Sequence, residues 1–165
     1  MTTKRGKRTR RYWLFKSEPE SYSIEQLERD GSTFWSGVRN YQARNLLRDE
    51  IRCDDGVLFY HSNAKPMAVV GIAKVTKEGY PDPTQFDASD NYFDPGSDPA
   101  DPRWFVVDIA FVGKAEQPVT REAMKERPEL TEMMLLQRGS RLSVQPVTRR
   151  EWQTVLRMAR LQENW

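Results

Sequence analysis

Eleven consecutive residues, Trp35-Ser36-Gly37-Val38-Arg39-Asn40-Tyr41-Gln42-Ala43-Arg44-Asn45, constrain this chain more than any other stretch. Asn40 is a helix cap. Ala43, Leu46, Leu47 and Ile51 follow at the i, i+3, i+4 spacing of one buried face, which predicts a helix over about 41–51. Trp35 and Ser36 then lie on the loop ahead of a helix N-terminus, where unpaired N–H groups and a partial positive charge are presented. An indole beside such an end, with amide and guanidinium groups close by, suits a planar, polar, electron-rich ligand such as a nucleobase with its phosphate. The residues alone leave a second reading open, in which Trp35 is a core side chain stapling the helix to a sheet.

Around that stretch the elements are short and mixed. Tyr12 to Lys16 reads as an aromatic strand ending at Ser17-Glu18-Pro19. Ser23 and Gln26 form a capping box that opens a helix closed by Asp30-Gly31-Ser32. Val57 to Tyr60 reads as a strand running into His61-Ser62-Asn63, and Met67 to Val75 as a strand buried on both faces, with Gly71 marking a bulge or a close backbone approach. Trp104 to Val112 reads as another strand, Thr120 to Met124 as a short helix, and residues 129–136 as a further one. Leu142 to Gln145 reads as a strand stopped by Pro146. Thr148 and Glu151 box the start of a last helix, with Val147 stapled to Trp152 and a stripe of Trp152, Val155, Leu156 and Ala159. Five or so strands with helices that do not alternate regularly predict an α+β domain built on a small mixed or antiparallel barrel.

Residues 77–102 stand apart, with five prolines, six aspartates and the aromatics Tyr80, Phe86, Tyr92 and Phe93. A connection this long in a compact domain is functional or an insertion, and its aromatics argue against plain disorder. The aspartates lack the spacing of a calcium loop.

Charge divides the chain. Lys4, Arg5, Lys7, Arg8, Arg10 and Arg11 face no acid within the first eleven positions, so a net charge of +2 leaves the remainder at −4. Residues 1–11 read as a disordered basic arm and 12–165 as one domain. The arm adds salt-dependent attraction to phosphates, serves as a nuclear address in a eukaryote, or is a solvated end. No secretion signal or membrane-length apolar run is read, so no membrane partner is expected. One cysteine, Cys53, and one histidine, His61, cannot make a Cys/His zinc set, and no metal or cofactor is expected. A monomer is expected, cytoplasmic in a bacterium or nuclear in a eukaryote.

Nucleotide-loop, zincin and serine-hydrolase motifs are absent. Short polar clusters at element ends are present instead: Lys16-Ser17-Glu18, Trp35-Ser36, Asn40-Tyr41, His61-Ser62-Asn63 and Arg141-Leu142-Ser143. Converging, they line a pocket.

The stretches Trp13-Leu14-Phe15-Lys16-Ser17-Glu18-Pro19, Trp35 to Asn45, Phe59-Tyr60-His61-Ser62-Asn63, Tyr80-Pro81-Asp82 with Thr84-Gln85-Phe86, and Arg141-Leu142-Ser143-Val144-Gln145-Pro146 resemble, in order, the EVE domain family of the PUA-like superfamily. The resemblance implies a pseudo-β-barrel of five or six mixed strands with flanking helices. It also implies a nucleic-acid partner, DNA or RNA, whose modified base enters an aromatic-walled pocket. EVE relatives are linked to 5-methyl- and 5-hydroxymethylcytosine, and related YTH domains hold N6-methyladenine. By that similarity Trp35 is one wall, Ser36 a backbone or hydroxyl contact and Ser17 a base-edge contact. The second wall comes from the 77–102 loop, where Tyr80, Tyr92 and Phe93 stand in place of the YTH tryptophan.

Asn40, His61, Ser62 and Asn63 join Ser17 as base-edge candidates. Lys16, Glu18, Tyr41, Arg141 and Ser143 complete the pocket, and Arg39 and Arg44 hold phosphates. Stacking contributes ~1–3 kcal/mol for any base. One buried methyl contributes about 0.8 kcal/mol, roughly a fourfold preference, so sharper discrimination must come from base-edge hydrogen bonds. Two other classes remain: an enzyme on modified bases with His61 as acid or base, and a protein interaction module with a vestigial pocket.

Overall fold

The computed structural model describes residues 9–165. Its first strand sets the plan. In β1 (Tyr12–Ser17) the side chains alternate between two cores. Tyr12 and Leu14 pack with Leu58, Tyr60 and Trp152 on one side of the sheet. Trp13 and Phe15 pack with Val57, Phe59 and Trp35 on the other. Both faces are covered, which is why an edge-to-edge apolar run is stable here.

Six strands hydrogen-bond in the order β2-β5-β4-β3-β1-β6. β3 (Gly56–His61) runs parallel to β1, with Ser17 opposite His61, so the carboxyl ends of the two strands lie side by side. β4 (Ala68–Pro81), β5 (Phe105–Thr120) and β2 (Ser32–Phe34) continue antiparallel outward from β3, and β6 (Val144–Val147) pairs antiparallel with β1. β2 and β6 do not pair with each other, so this pseudo-barrel is open at one seam. One face is covered by α3 (Arg121–Lys125) and α4 (Arg149–Ala159), through Met124, Trp152 and Val155. The other is covered by α1 (Ile24–Asp30) and α2 (Tyr41–Asn45), through Ile24, Leu27 and Ala43.

The caps form as the residues require. Ser23 and Gln26, and Thr148 and Glu151, close reciprocal boxes, and Asn40 accepts the Ala43 N–H. Several boundaries differ from expectation. The helix from Tyr41 widens into a π-helical turn over Leu46–Glu50, packed where a Cβ on Gly79 would lie 2.5 Å from the Leu47 carbonyl. Residues 129–136 are not one helix but two 3₁₀ turns, Pro128–Leu130 and Met134–Leu136. β2 carries no apolar alternation and is held by pairing with Ala110 to Asp108 of β5. β4 and β5 each run past their apolar cores, the polar end of one pairing with the apolar start of the other; repeated register shifts interrupt the ladder that apolar patterning would trace. Pro146 does not stop β6, because an edge strand has an outward side that needs no N–H. At Gly71 both expectations hold: the register shifts there, and a Cβ would meet Gly113 O and Ile24 Cδ1, each at 2.6 Å.

The long loop is built, not slack. Asp82, Asp87, Asp90, Asp94 and Asp98 each accept the N–H two residues on, at 2.8–3.0 Å, so the aspartates form a string of Asx turns. The loop closes around the buried amide of Gln85, which donates to Asp82 O and Trp104 O and accepts from Ser97 Oγ and the Trp104 N–H.

The expected arm lies outside the described residues as far as residue 8. Arg10 and Arg11 are bound to the body: Arg10 to Trp165 O at 2.8 Å and Glu163, Arg11 to Glu50 and over the Trp13 ring. Among the described residues no helix is long and apolar enough to cross a membrane, and no group of three or more His, Cys, Asp or Glu is placed to hold a metal.

Candidate functional site

At the carboxyl ends of β1 and β3 the sheet opens into a cleft of about 820 Å³. Parallel neighbours finish together, so Lys16-Ser17-Glu18 and Ser62 meet there. The Ser62 N–H donates to Ser17 O at 3.0 Å and the Lys16 N–H to Ser143 O at 2.9 Å, which brings the 141–143 segment to the same rim. The opposite wall is the stretch from Thr33 to Asn40, anchored where the Trp35 N–H donates to Val107 O.

Trp35 borders the cleft but is only 8% exposed. Its ring packs against Phe15 at 5.3 Å, edge-on to Phe59 at 5.5 Å and to Tyr22 at 6.3 Å. The staple and the wall are thus the same side chain: one part of the indole belongs to the core and the remainder fronts the opening. Tyr92 faces in from the long loop, half-exposed, its ring seated against Gly37. Gly37 has φ +83°, and a Cβ there would meet the Tyr92 ring at 2.6 Å, so only glycine permits this approach.

Arg39 locks that arrangement. Its guanidinium donates to Asp82 Oδ2 (3.0 Å), Thr84 Oγ1 (3.1 Å), Tyr92 O (2.7 Å) and Val38 O (3.2 Å), and lies over the Tyr92 and Trp104 rings. Asp82, fully buried, also accepts the Gly37 N–H at 3.0 Å. Arg39 is committed to joining two loops and is not an open cation at the rim. Arg44 lies away from the cleft, donating to Arg103 O and Asn45 and stacked over Tyr41, which itself stacks on Trp104 at 5.0 Å.

Of the residues expected in the pocket, Lys16, Ser17, Glu18, Trp35, Ser36, Asn40, Ser62, Tyr92, Arg141 and Ser143 line the cleft. Tyr41, His61, Asn63 and Tyr80 do not. Tyr80 belongs to β4 and donates its hydroxyl to Asp108, and burial and that bond hold its pKa above the ordinary phenol value. Asn63 donates to Glu18 Oε1 at 2.6 Å. His61 is buried, and its Nε2 accepts the N–H of Ile24, the first residue of α1, at 3.2 Å. Burial lowers its pKa, so the imidazole is a neutral helix cap whose acceptor nitrogen is in use. Its Nε2, the atom an acid–base role would use, is taken by that bond.

Sequence reasoning missed Tyr22 and Phe34. Tyr22 follows the Glu18-Pro19 turn and fronts the cleft while its hydroxyl donates to Asp30; burial, and then that bond, push its pKa up to about 12. Phe34 lines the rim, 43% exposed.

Residues 11–158 match the EVE domain family. The chain is 42% identical to mouse thymocyte nuclear protein 1 over 92% of this chain and 74% of that protein. A protein of Pseudomonas syringae superposes with a TM-score of 0.86 at 41% identity, covering 90% of this chain and 99% of the other. Human THYN1, solved in complex with 5-methylcytosine-containing DNA, superposes with a TM-score of 0.85 at 37% identity, covering 93% and 99%. With the six-stranded open sheet, the cleft at the ends of β1 and β3 and a family match spanning nearly the whole described chain, the protein belongs to the EVE domain family.

Proposed function

We propose that this protein binds nucleic acid by taking one base, a 5-modified cytosine, out of the stack and into the cleft, and that it works as a reader without turnover. The observation that carries the reading is a cleft lined by the aromatics Trp35 and Tyr92 together with polar side chains, in a fold shared with a protein solved on 5-methylcytosine-containing DNA. A base so held must leave its duplex, as other base-handling proteins require. Ser17, Ser36, Asn40 and Ser62 supply polar groups along the cleft. The Asn40 Oδ1 is spent on the Ala43 N–H, which leaves its amide N–H groups for acceptors on a base edge. Cytosine offers such acceptors beside one donor. The occupied Nε2 of His61 favours binding over acid–base chemistry. The compartment follows the nucleic acid: the cytoplasm in a bacterium, the nucleus in a eukaryote.

Oligonucleotides differing only in cytosine, 5-methylcytosine, 5-hydroxymethylcytosine or N6-methyladenine test this, titrated at one salt concentration against wild type, Tyr92→Ala and Trp35→Ala. Stacking losses of ~1–3 kcal/mol weaken each variant by roughly 5- to 150-fold. Because Trp35 is also core, its variant is compared only where its circular dichroism matches wild type, and Tyr92→Ala carries the test otherwise. Equal affinity of wild type for every base defeats the reading and leaves an interaction module. N6-methyladenine as the tightest ligand replaces the base and keeps the mode.

A further inference from the structure

Two cations on the cleft lining lack carboxylate partners. Arg141 makes no hydrogen bond or ion pair among the described residues. Lys16 Nζ makes one, a long bond of 3.4 Å to the carbonyl of Ser140, the neighbour of Arg141. Both groups therefore sit on one rim, where β1 meets the segment entering β6. Glu18 shares the cleft, but its Oε1 is occupied by Asn63 Nδ2. The arginines that sequence reasoning gave to phosphate are otherwise engaged, Arg39 on Asp82 and Arg44 on the Arg103 carbonyl.

A half-buried ammonium and an exposed guanidinium on the lining of one opening, neither paired with a carboxylate among the described residues, are free to take an anion there. We propose that Lys16 and Arg141 form a phosphate site for the nucleotide whose base occupies the cleft. Arg141 supplies the planar fork that matches two phosphate oxygens, and Lys16 a point charge from the strand end. Burial lowers the Lys16 pKa, and the nearby Arg121 charge lowers it further, a direction that an arriving anion reverses. The site is local to one nucleotide, consistent with a body that is otherwise net negative. It rests on the base-reading proposal for what fills the remainder of the cleft.

Mononucleotides separate the two ideas. 5-Methyl-2′-deoxycytidine and its 5′- and 3′-monophosphates are titrated into the full chain at low salt by calorimetry. One of the monophosphates binds wild type about tenfold or more tightly than the nucleoside. That ratio falls towards one in Arg141→Gln and shrinks in Lys16→Gln. With oligonucleotides, each variant lowers the log–log salt slope by about one. A wild-type ratio near one overturns the phosphate site while nucleoside binding still supports the base pocket. A ratio that survives Arg141→Gln unchanged also overturns it, since the cation then serves the base or neither. Failure of the nucleoside and of both monophosphates to bind overturns both proposals.

Discussion

Replacing Asp82 with alanine should destabilise this protein far more than a loop aspartate ordinarily would. The carboxylate is fully buried and accepts four hydrogen bonds: from Gly37 N, Arg39 Nη1, Thr84 N and Thr84 Oγ1, at 2.6–3.0 Å. Without it the Arg39 guanidinium, with a side chain only 22% exposed, has no counter-charge, and the Gly37 N–H has no partner. Breaking one side of a buried pair costs about 3–5 kcal/mol. Part of the Arg39 head reaches water, and its bonds to Tyr92 O and Val38 O survive, which places the cost near the lower end, about 3 kcal/mol. For a chain of this size that lowers the melting temperature by roughly 6–12 °C.

The complementary change, Arg39→Met, leaves the carboxylate with three of its four donors and should cost less, about 2 kcal/mol. Urea unfolding with equal m-values measures both, and the order Asp82→Ala above Arg39→Met is the sharper part of the claim. Both variants should also weaken discrimination between modified and plain cytosine, because Tyr92 loses its seat. A cost below about 1 kcal/mol for Asp82→Ala, or the reverse order, would show that the two loops are not joined through this group.

Two further expectations are open to direct measurement. Gly37→Ala forces a Cβ into the Tyr92 ring at a positive φ, so it should cost about 1–2 kcal/mol in a thermal melt and displace the ring, seen as reduced base selectivity. His61 is the chain's single histidine, and its folded pKa lies below the unfolded value of about 6.5 because burial opposes its charge. The unfolded chain therefore takes up the proton first. Stability from the neutral cap is whole above about pH 6.5 and is lost as pH falls below it, with a slope of at most ~1.4 kcal/mol per pH unit. Unfolding curves at pH 5 to 7 for wild type and His61→Gln should converge on acidification, and parallel curves would refute the cap.

Much of the fold was legible because its signals are local. Ser23 with Gln26, Asn40 with Ala43 and Thr148 with Glu151 each place a helix start within a few residues, and the apolar run from Ala68 to Val75 marks a strand covered on both faces. Of the aromatics that family likeness suggested as walls, Trp35 and Tyr92 line the cleft and Tyr80 and Phe93 do not. What escaped is what depends on a partner distant in the chain. β2 is a strand only because β5 offers it a ladder, and Pro146 is tolerated only because β6 lies at an edge. The same holds at the cleft.

Residue type alone could not separate His61, which spends its nitrogen on the Ile24 N–H, from Ser62, its neighbour on the lining. Nor could it separate Arg39, held by Asp82, from Arg141, which no carboxylate meets among the described residues. The amino-acid order determined which polar and aromatic groups were present and which helices would start where. Tertiary structure decided which of those groups still had bonds to give. Whether a donor or a charge is spent is settled here by neighbours distant in the chain, as Ile24 is to His61 and Asp82 is to Arg39, and local pattern carries no record of them.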